Sequence, residues 1–289
     1  MDFLDEILSK SKKIEETTNF DSNNFKKFYL NKNKPVVLKG YGHDWAAKEK
    51  WTLDFLADLE VESPVSLEIG ANNQKETNFV RENLKTYIES IIKNEYRDKK
   101  DIAYLTLFNI FDRFPHLKDD VDLSILTKFT KRNNIYAWIG PEGTITGLHY
   151  DSLNNLLAQV MGRKLVVLVA PKDNKNMYIS DKFELGATSS EVDINNYDES
   201  KHPKFKEVKF FSVVLRPGDV LFIPKKWWHY VKSLDTSISI SNFGAFLPDI
   251  LFTQTFESFL YSLHCRGYYK KGNCTCHRVV DGKVLSKFN

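Results

Sequence analysis

Between Gly140 and Pro171 the chain reads GPEGTITGLHYDSLNNLLAQVMGRKLVVLVAP. Two segments of it have strand character, TITGLHYD at 144–151 and the apolar KLVVLVA at 164–170. Similar short runs stand on either side, separated by Gly, Pro, Asn and Asp. Strands are expected at 102–107 (IAYLTL), 135–139 (IYAWI), 207–215 (EVKFFSVVL), 219–223 (DVLFI), 228–232 (WHYVK) and 236–243 (TSISISNF). Many short strands between turn signals predict a sandwich or barrel. Arg216-Pro217-Gly218-Asp219 is a turn with a mechanism, since Pro fixes φ and Gly permits φ > 0. Pro224 ends the next strand because it cannot donate to a ladder.

Outward from this β-rich centre the pattern changes. Residues 1–33 read as a helix followed by a polar stretch, and 35–39 (PVVLK) as a strand. Thr52 is placed to cap a helix carrying Leu53, Leu56 and Leu59, and 65–69 alternates like a strand. The stripe of Phe79, Leu84, Tyr87, Ile88, Ile91 and Ile92 predicts a helix over 76–97. Residues 173–204 are long, polar and weakly patterned, and a loop of that length in a compact domain is usually functional. Ile250, Leu251, Phe256, Phe259, Leu260 and Leu263 predict an amphipathic helix over 248–264.

Composition sets the outer limits. The 289 residues carry 41 Lys and Arg against 38 Asp and Glu, a net charge of +3 too small to demand a nucleic-acid or membrane partner. Three cysteines make no disulfide framework and fit a reducing compartment. No run approaches the length of a membrane span, and MDFLDEILSKSKK has no secretory character. A soluble, cytoplasmic protein is expected.

The residues that carry chemistry are His149, Asp151 and His229. Alternation along TITGLHYD turns His149 and Asp151 to one face, about 6–7 Å apart at Cα, close enough to share a metal. His229 begins another strand, which a barrel could bring opposite. Two imidazoles and one carboxylate form the facial set of non-haem Fe(II) oxygenases, with the other positions open. By itself His-x-Asp is a weak pattern, and a surface histidine beside a solvated aspartate reads the same. Lys164 and Thr146 would likewise be ordinary solvent-facing strand residues without their context.

That context resembles a known family. The motifs GPEGTITGLHYDSLNNLLAQVMGRKLVVLVAP, RPGDVLFIPKKWWHYVKSL and SISISNF are similar to those of JmjC-type, cupin-fold 2-oxoglutarate oxygenases. Nearest are the protein hydroxylases, the factor-inhibiting-HIF-like asparaginyl type and especially the arginyl type; a wybutosine tRNA hydroxylase is a further relative. The likeness runs from Tyr104 to Phe246. It implies a mainly β protein with flanking helices: a double-stranded β-helix (jelly-roll) barrel over 101–247, an N-terminal α/β extension over 1–100, and a C-terminal helix and basic tail over 248–289. It also implies Fe(II) on His149, Asp151 and His229. Tyr104, Thr146, Asn155, Lys164 and Asn242 match residues around 2-oxoglutarate or the metal, and Trp138 matches a tryptophan lining the arginyl hydroxylase site. The implied reaction couples oxidative decarboxylation of 2-oxoglutarate to hydroxylation of a substrate C–H bond, with release of succinate and carbon dioxide.

Departures from the family shape the substrate expectation. An Arg-Gln pair that grips asparagine is absent, with Thr188 and Ser189 near those places. A tryptophan common after the SISNF strand is replaced by Gly244, which suggests a roomier mouth. Glu191 and Asp193 would favour a cationic side chain, and an Asp ligand favours hydroxylation over demethylation. Between Arg266 and Lys287 six basic residues face one acid, Asp281, and RGYYKK mixes cations with aromatics as nucleic-acid contacts do. A protein or peptide substrate with a basic residue is the leading expectation. A tRNA base, a small molecule, or a non-catalytic metal-binding cupin module are the alternatives. Cys265, Cys274, Cys276 and His277 raise the question of zinc, and the 250–263 helix that of a homodimer, as C-terminal helices do in some relatives.

Overall fold

The computed structural model describes residues 2–59, 64–70, 78–96, 102–274, 277–280 and 283–286. In chain order the strands are β1 (Lys12–Lys13), β2 (Glu16–Thr17), β3 (Val36–Leu38), β4 (Pro64–Ile69), β5 (Asn78–Asn83), β6 (Ala103–Phe108), β7 (Arg132–Gly140), β8 (Ile145–Asp151) and β9 (Asn154–Met161). They continue with β10 (Lys164–Val169), β11 (Ala187–Ser189), β12 (Phe210–Leu215), β13 (Val220–Ile223), β14 (Trp228–Ser233), β15 (Ser237–Ala245), β16 (His277–Val280) and β17 (Lys283–Ser286). One sheet has the order β1-β12-β10-β14-β8-β11, a second β2-β3-β13-β9-β15-β7-β6-β4-β5, and β16 pairs with β17 alone. The crossing order, with mostly antiparallel neighbours, is that of a jelly roll.

Three apolar layers follow from the alternation of these strands. Between the sheets lie Val37, Leu157, Val166, Leu168, Leu221, Ile223 and Val231. Outside the larger sheet, Leu156, Ala158, Phe222, Ile238 and Ile240 pack on helical residues such as Phe25, Trp51, Tyr87 and Leu126. Outside the smaller sheet, Leu165, Val167, Trp228 and Tyr230 are covered by Ile7 of the Phe3–Lys10 helix and by Met177, Val192, Ile194 and Phe205. The 173–204 segment is thus not weakly patterned in space, because its few apolar residues are the cover of one sheet. At the Arg216–Asp219 turn, Gly218 has φ +92°.

The structure corrects the sequence reading in three places. Residues 78–83, expected as helix, form β5, which pairs residue by residue with β4; the helix is confined to Leu84–Ile92. Helix capping by Asn83, whose side chain accepts from the Lys85 amide, sets that boundary. A strand not expected, β9, runs at the heart of the larger sheet between β13 and β15. Residues 1–33 hold two separate helical segments with β1 and β2 between them rather than one helix and a coil. Among the described residues no helix is long and apolar enough to cross a membrane.

Candidate metal centre

β14 lies between β10 and β8, with His229 opposite both Leu168 and His149. Leu168 belongs to the layer between the sheets, so both histidines face the interior. The register shifts just beyond this pair: His229 meets His149, but Val231 meets Thr146. Three residues of β8 therefore oppose two of β14, and this bulge turns Thr146 and His149 to one face despite their odd separation. Asp151, two residues past His149, keeps the same face.

The three side chains converge. Asp151 Oδ1 is 3.8 Å from His149 Nε2, Asp151 Oδ2 is 3.4 Å from His229 Nε2, and the rings stand 4.1 Å apart at their centroids. One ligand atom from each lies within 4.8 Å of the others. Each imidazole has its Nδ1 against a backbone carbonyl, Gly147 at 2.7 Å and Trp227 at 3.0 Å. A carbonyl only accepts, so Nδ1 carries the proton and Nε2 is left as the metal-facing lone pair. Burial, then the neighbouring His229, lowers the His149 pKa to about 4, so it is neutral at physiological pH. Burial pushes Asp151 up, but the His229 bond and the two histidines outweigh it and hold it ionised. Two imidazoles and a carboxylate on one side fit a divalent iron.

Deeper in the same interior, Lys164 is 1% exposed and donates to the Tyr104 phenol at 2.9 Å. Burial alone lowers its pKa to about 7. The hydroxyls of Thr146 and Thr144 also bond the phenol, whose pKa is raised by burial and by the charge of Glu68. Only glycine fits at 140 beside it, since a Cβ there would come within 2.6 Å of the Tyr104 ring. Trp138 stands 5.9 Å from Tyr104 between ring centroids. Its Nε1, and Oδ1 of Asn155, are buried without a hydrogen-bond partner among the described residues. A buried cation with one neutral partner, beside orphaned polar atoms, is the lining of a site for an anionic ligand such as 2-oxoglutarate.

Other expected site residues are placed elsewhere. Ile238 and Ile240 of β15 point to the helix-packed face, and Asn242 has their parity, opposite Ile135 and Leu156. Register thus puts Asn242 on the outer side of the sheet rather than beside the metal, and gives the inner side to Phe243, opposite Asn155. Gly244 also faces out: a Cβ there would lie 2.7 Å from Thr130 and 3.0 Å from Leu126, so its small size serves helix packing rather than a wider mouth. Glu191 is exposed, and Asp193 caps the Asn195 amide at 2.9 Å. Both belong to the segment that covers the outer face of the smaller sheet, with Val192 and Ile194 buried between and beside them.

The acids that do approach the centre are Glu184 and Glu257. β11 lies against β8 with Ser189 opposite His149, and Ser189 donates to Glu184 Oε2 at 2.7 Å. Glu257, on the Thr255–Cys265 helix, bonds Ser152 next to Asp151. Both pKa values are raised, by burial first and by the charge of Asp151. Interior hydroxyls were missed as well: Thr144, Ser233 and Ser237 form a chain of bonds at 2.8 and 3.0 Å. The period of two in Ser237-Ile238-Ser239-Ile240-Ser241 was the signal for them.

The pattern of the cupin-like domain matches residues 22–243. A JmjC domain-containing protein D of Dictyostelium discoideum is 35% identical over 257 residues, 81% of this chain and 57% of that protein. A lysine-specific demethylase 8 of Xenopus tropicalis is 35% identical over 221 residues, 75% of this chain and 49% of its own. A human tRNA wybutosine-synthesizing protein 5 is 28% identical over 248 residues, 77% of this chain and 74% of its own. The chain thus spans about half the length of the first two relatives.

Proposed function

The chain belongs to the cupin-like, JmjC-type family, whose members are 2-oxoglutarate- and Fe(II)-dependent oxygenases, and from that premise we propose that it hydroxylates a side chain of a protein or peptide. Arginine or lysine is the preferred target. The observation that carries the reading is the buried Lys164 sharing one interior with His149, Asp151 and His229. His149, Asp151 and His229 would hold Fe(II), which supplies oxygen activation when bound with 2-oxoglutarate. Lys164, Tyr104 and Thr146 would grip the distal carboxylate of the cosubstrate, with Asn155 and Trp138 offering their unpartnered polar atoms to what lies between. The layers on both outer faces exclude water from this interior, which strengthens the lysine–carboxylate pairing.

The basic-residue preference rests on Glu184 and Glu257, which approach the centre from two different elements beside the carboxylate of Asp151. A cationic side chain would relieve that repulsion. Glu191 and Asp193, on the outer cover, have no part in this reading. Demethylation of an N-methyl group begins with the same C–H hydroxylation, and the relative named a lysine-specific demethylase keeps it in view. A modified tRNA base is a second reading, favoured by the tRNA wybutosine-synthesizing relative and by the basic tail. The exposed apolar face of the Thr255–Cys265 helix is proposed as a homodimer contact.

The test is an anaerobic titration of the protein with Fe(II) and 2-oxoglutarate, followed by visible absorption. A weak charge-transfer band is expected, lost in His149→Ala and discharged by oxygen with formation of succinate. Peptides carrying Arg or Lys and unfractionated tRNA are then compared as stimulants of succinate formation. Mass spectrometry separates a gained oxygen atom from a lost methyl group. A folded protein with no band and no succinate would refute the oxygenase reading.

A further inference from the structure

Two groups of side chains are left over once the iron and cosubstrate are accounted for. The thiols are one. Cys274 is taken up by His264, whose Nε2 lies 3.0 Å from its sulfur, Cys265 is exposed at the helix end, and Cys276 lies outside the described residues. The other group is aromatic and lines the inner face of the larger sheet.

Strand pairing places two of these rings. Tyr136 of β7 is opposite Ser241 of β15, and Ser241 is opposite Leu157 of β9. Leu157 belongs to the layer between the sheets, so Tyr136 faces the interior. Phe243 is opposite Asn155, which is opposite Ile223 of the same layer, so Phe243 faces the interior as well. The two ring centroids stand 6.1 Å apart, with the planes inclined at 55°. Both residues are half-buried, and neither belongs to any of the three apolar layers.

The same pairing fixes their height in the barrel. Ser233 is opposite Lys164, Ser237 is opposite Gly140, and the two serine hydroxyls lie 3.0 Å apart. Lys164 and Gly140 therefore mark one level, the cosubstrate end. β14 and β15 both run back from the turn at 234–236. His229 is four residues from Ser233 along β14, and Tyr136 is four residues from Gly140 along β7. Each lies about 13 Å from the cosubstrate end, so Tyr136 stands at the level of the metal ligands on the facing sheet.

The surroundings are acidic. After burial, the charge of Asp112 on the Ile110–Arg113 helix is what raises the pKa of the Tyr136 phenol. Glu184 and Glu257 approach from the opposite side, beside Asp151. Inclined rings form a corner, whereas a flat base stacks between parallel faces. Ring faces are electron-rich and hold a cation within about 6 Å of the centroid.

We infer, on the oxygenase reading proposed above, that Tyr136 is its specificity-determining residue: with Phe243 it forms the aromatic corner against which the cationic side chain of the target lies, opposite the iron ligands. The rings select for charge and the carboxylates for its sign. Arginine and lysine meet both demands; citrulline and norleucine, of similar shape but uncharged, do not.

Short peptides test the corner. Acetyl-Gly-Gly-X-Gly-Gly amides, with X arginine, lysine, citrulline or norleucine, are titrated anaerobically into the protein loaded with Fe(II) and 2-oxoglutarate. Perturbation of the charge-transfer band reports binding beside the metal. The arginine or lysine peptide should bind about tenfold tighter than its neutral counterpart. Tyr136→Leu should remove that preference with little change for the neutral peptides, and Tyr136→Phe should keep it because the ring face remains. Asp112→Asn should reduce it by about twofold. The wild-type ratio stands even where a variant fails to fold. Equal affinity for charged and neutral peptides in the wild type overturns the inference and leaves the oxygenase reading intact, as does a preference undiminished in Tyr136→Leu. A wild-type protein that gives no band overturns the two together.

Discussion

A carboxylate that binds Lys164 binds its protonated form, so affinity for 2-oxoglutarate should follow the charge on this lysine. Burial has brought the pKa of the free protein to about 7. Below pH 7 the proton is already present; above it, binding must take one up. The apparent dissociation constant then grows as about 1 + 10^(pH − 7), so binding at pH 8 is roughly tenfold weaker than at pH 6, or about 1.4 kcal/mol. The assay is an anaerobic titration of 2-oxoglutarate into the Fe(II)-loaded protein at pH 6, 7 and 8 and constant ionic strength. Lys164→Arg is the control, because a guanidinium stays charged throughout. It should bind more weakly overall, since the fork does not fit a place built for an ammonium, but with no slope. Wild-type affinity that is flat between pH 6 and 8, or an equal slope in Lys164→Arg, would refute the reasoning.

The same shift has a stability consequence in the ligand-free protein. The fold releases this proton near pH 7 while the unfolded chain holds it to 10.5, so through Lys164 stability rises with pH across that window. Lys164→Met should accordingly raise the Tm of the ligand-free protein at pH 7 while abolishing 2-oxoglutarate binding; a lowered Tm would count against a costly buried charge. Gly140→Ala should cost about 1–3 kcal/mol by overpacking and raise KM for 2-oxoglutarate, since the new methyl meets the Tyr104 ring; unchanged KM in a titration of succinate formation would show that the ring is free to move. Glu184→Gln and Glu257→Gln should each lower kcat/KM for a cationic peptide by about tenfold, the worth of one charge-assisted bond, leaving uncoupled 2-oxoglutarate turnover in place; equal losses with and without peptide would contradict a role in substrate recognition. Phe256 and Phe259, 60% and 57% exposed, form the apolar face proposed for the dimer, and Phe256→Asp with Phe259→Asp should halve the mass found by light scattering; a wild-type monomer would dismiss that contact.

The sequence made the metal ligands legible and left much of their surroundings hidden, for reasons that particular residues explain. His149 and Asp151 obey strict alternation, so their common face could be read directly. Thr146 does not obey it, and only the bulge opposite Val231 brings it inward. β9 escaped notice because Asn154, Asn155 and Gln159 interrupt an apolar run, yet all three are buried in the larger sheet. In an ordinary sandwich the inner face is the apolar one. Here the serines of Ser237-Ile238-Ser239-Ile240-Ser241 face in and the isoleucines face out, because the interior is a polar site and the helices outside complete the apolar core. Asn242 shares the parity of the isoleucines and lies on the outward face. Glu184 and Glu257 lie far from the motifs in sequence, and no local pattern marks them.

The placement of Lys164 shows why a bridging ligand is needed rather than merely tolerated. Lys164 and Leu168 lie on one strand, and Leu168 is opposite His229. Four residues of strand separate the two levels, about 13 Å. A lysine side chain spans about 6 Å of that, leaving at least about 7 Å between its ammonium and the level of the metal ligands. The charges behave accordingly. Nothing but burial shifts Lys164, and the groups that hold Asp151 ionised are the two histidines. Cation and carboxylate share one dry interior without neutralising each other, an arrangement whose cost persists until something anionic at one end and metal-binding at the other spans the gap. A five-carbon keto diacid has that length and those two ends. The strain visible in the lysine is therefore the structural form of the selectivity proposed for the site.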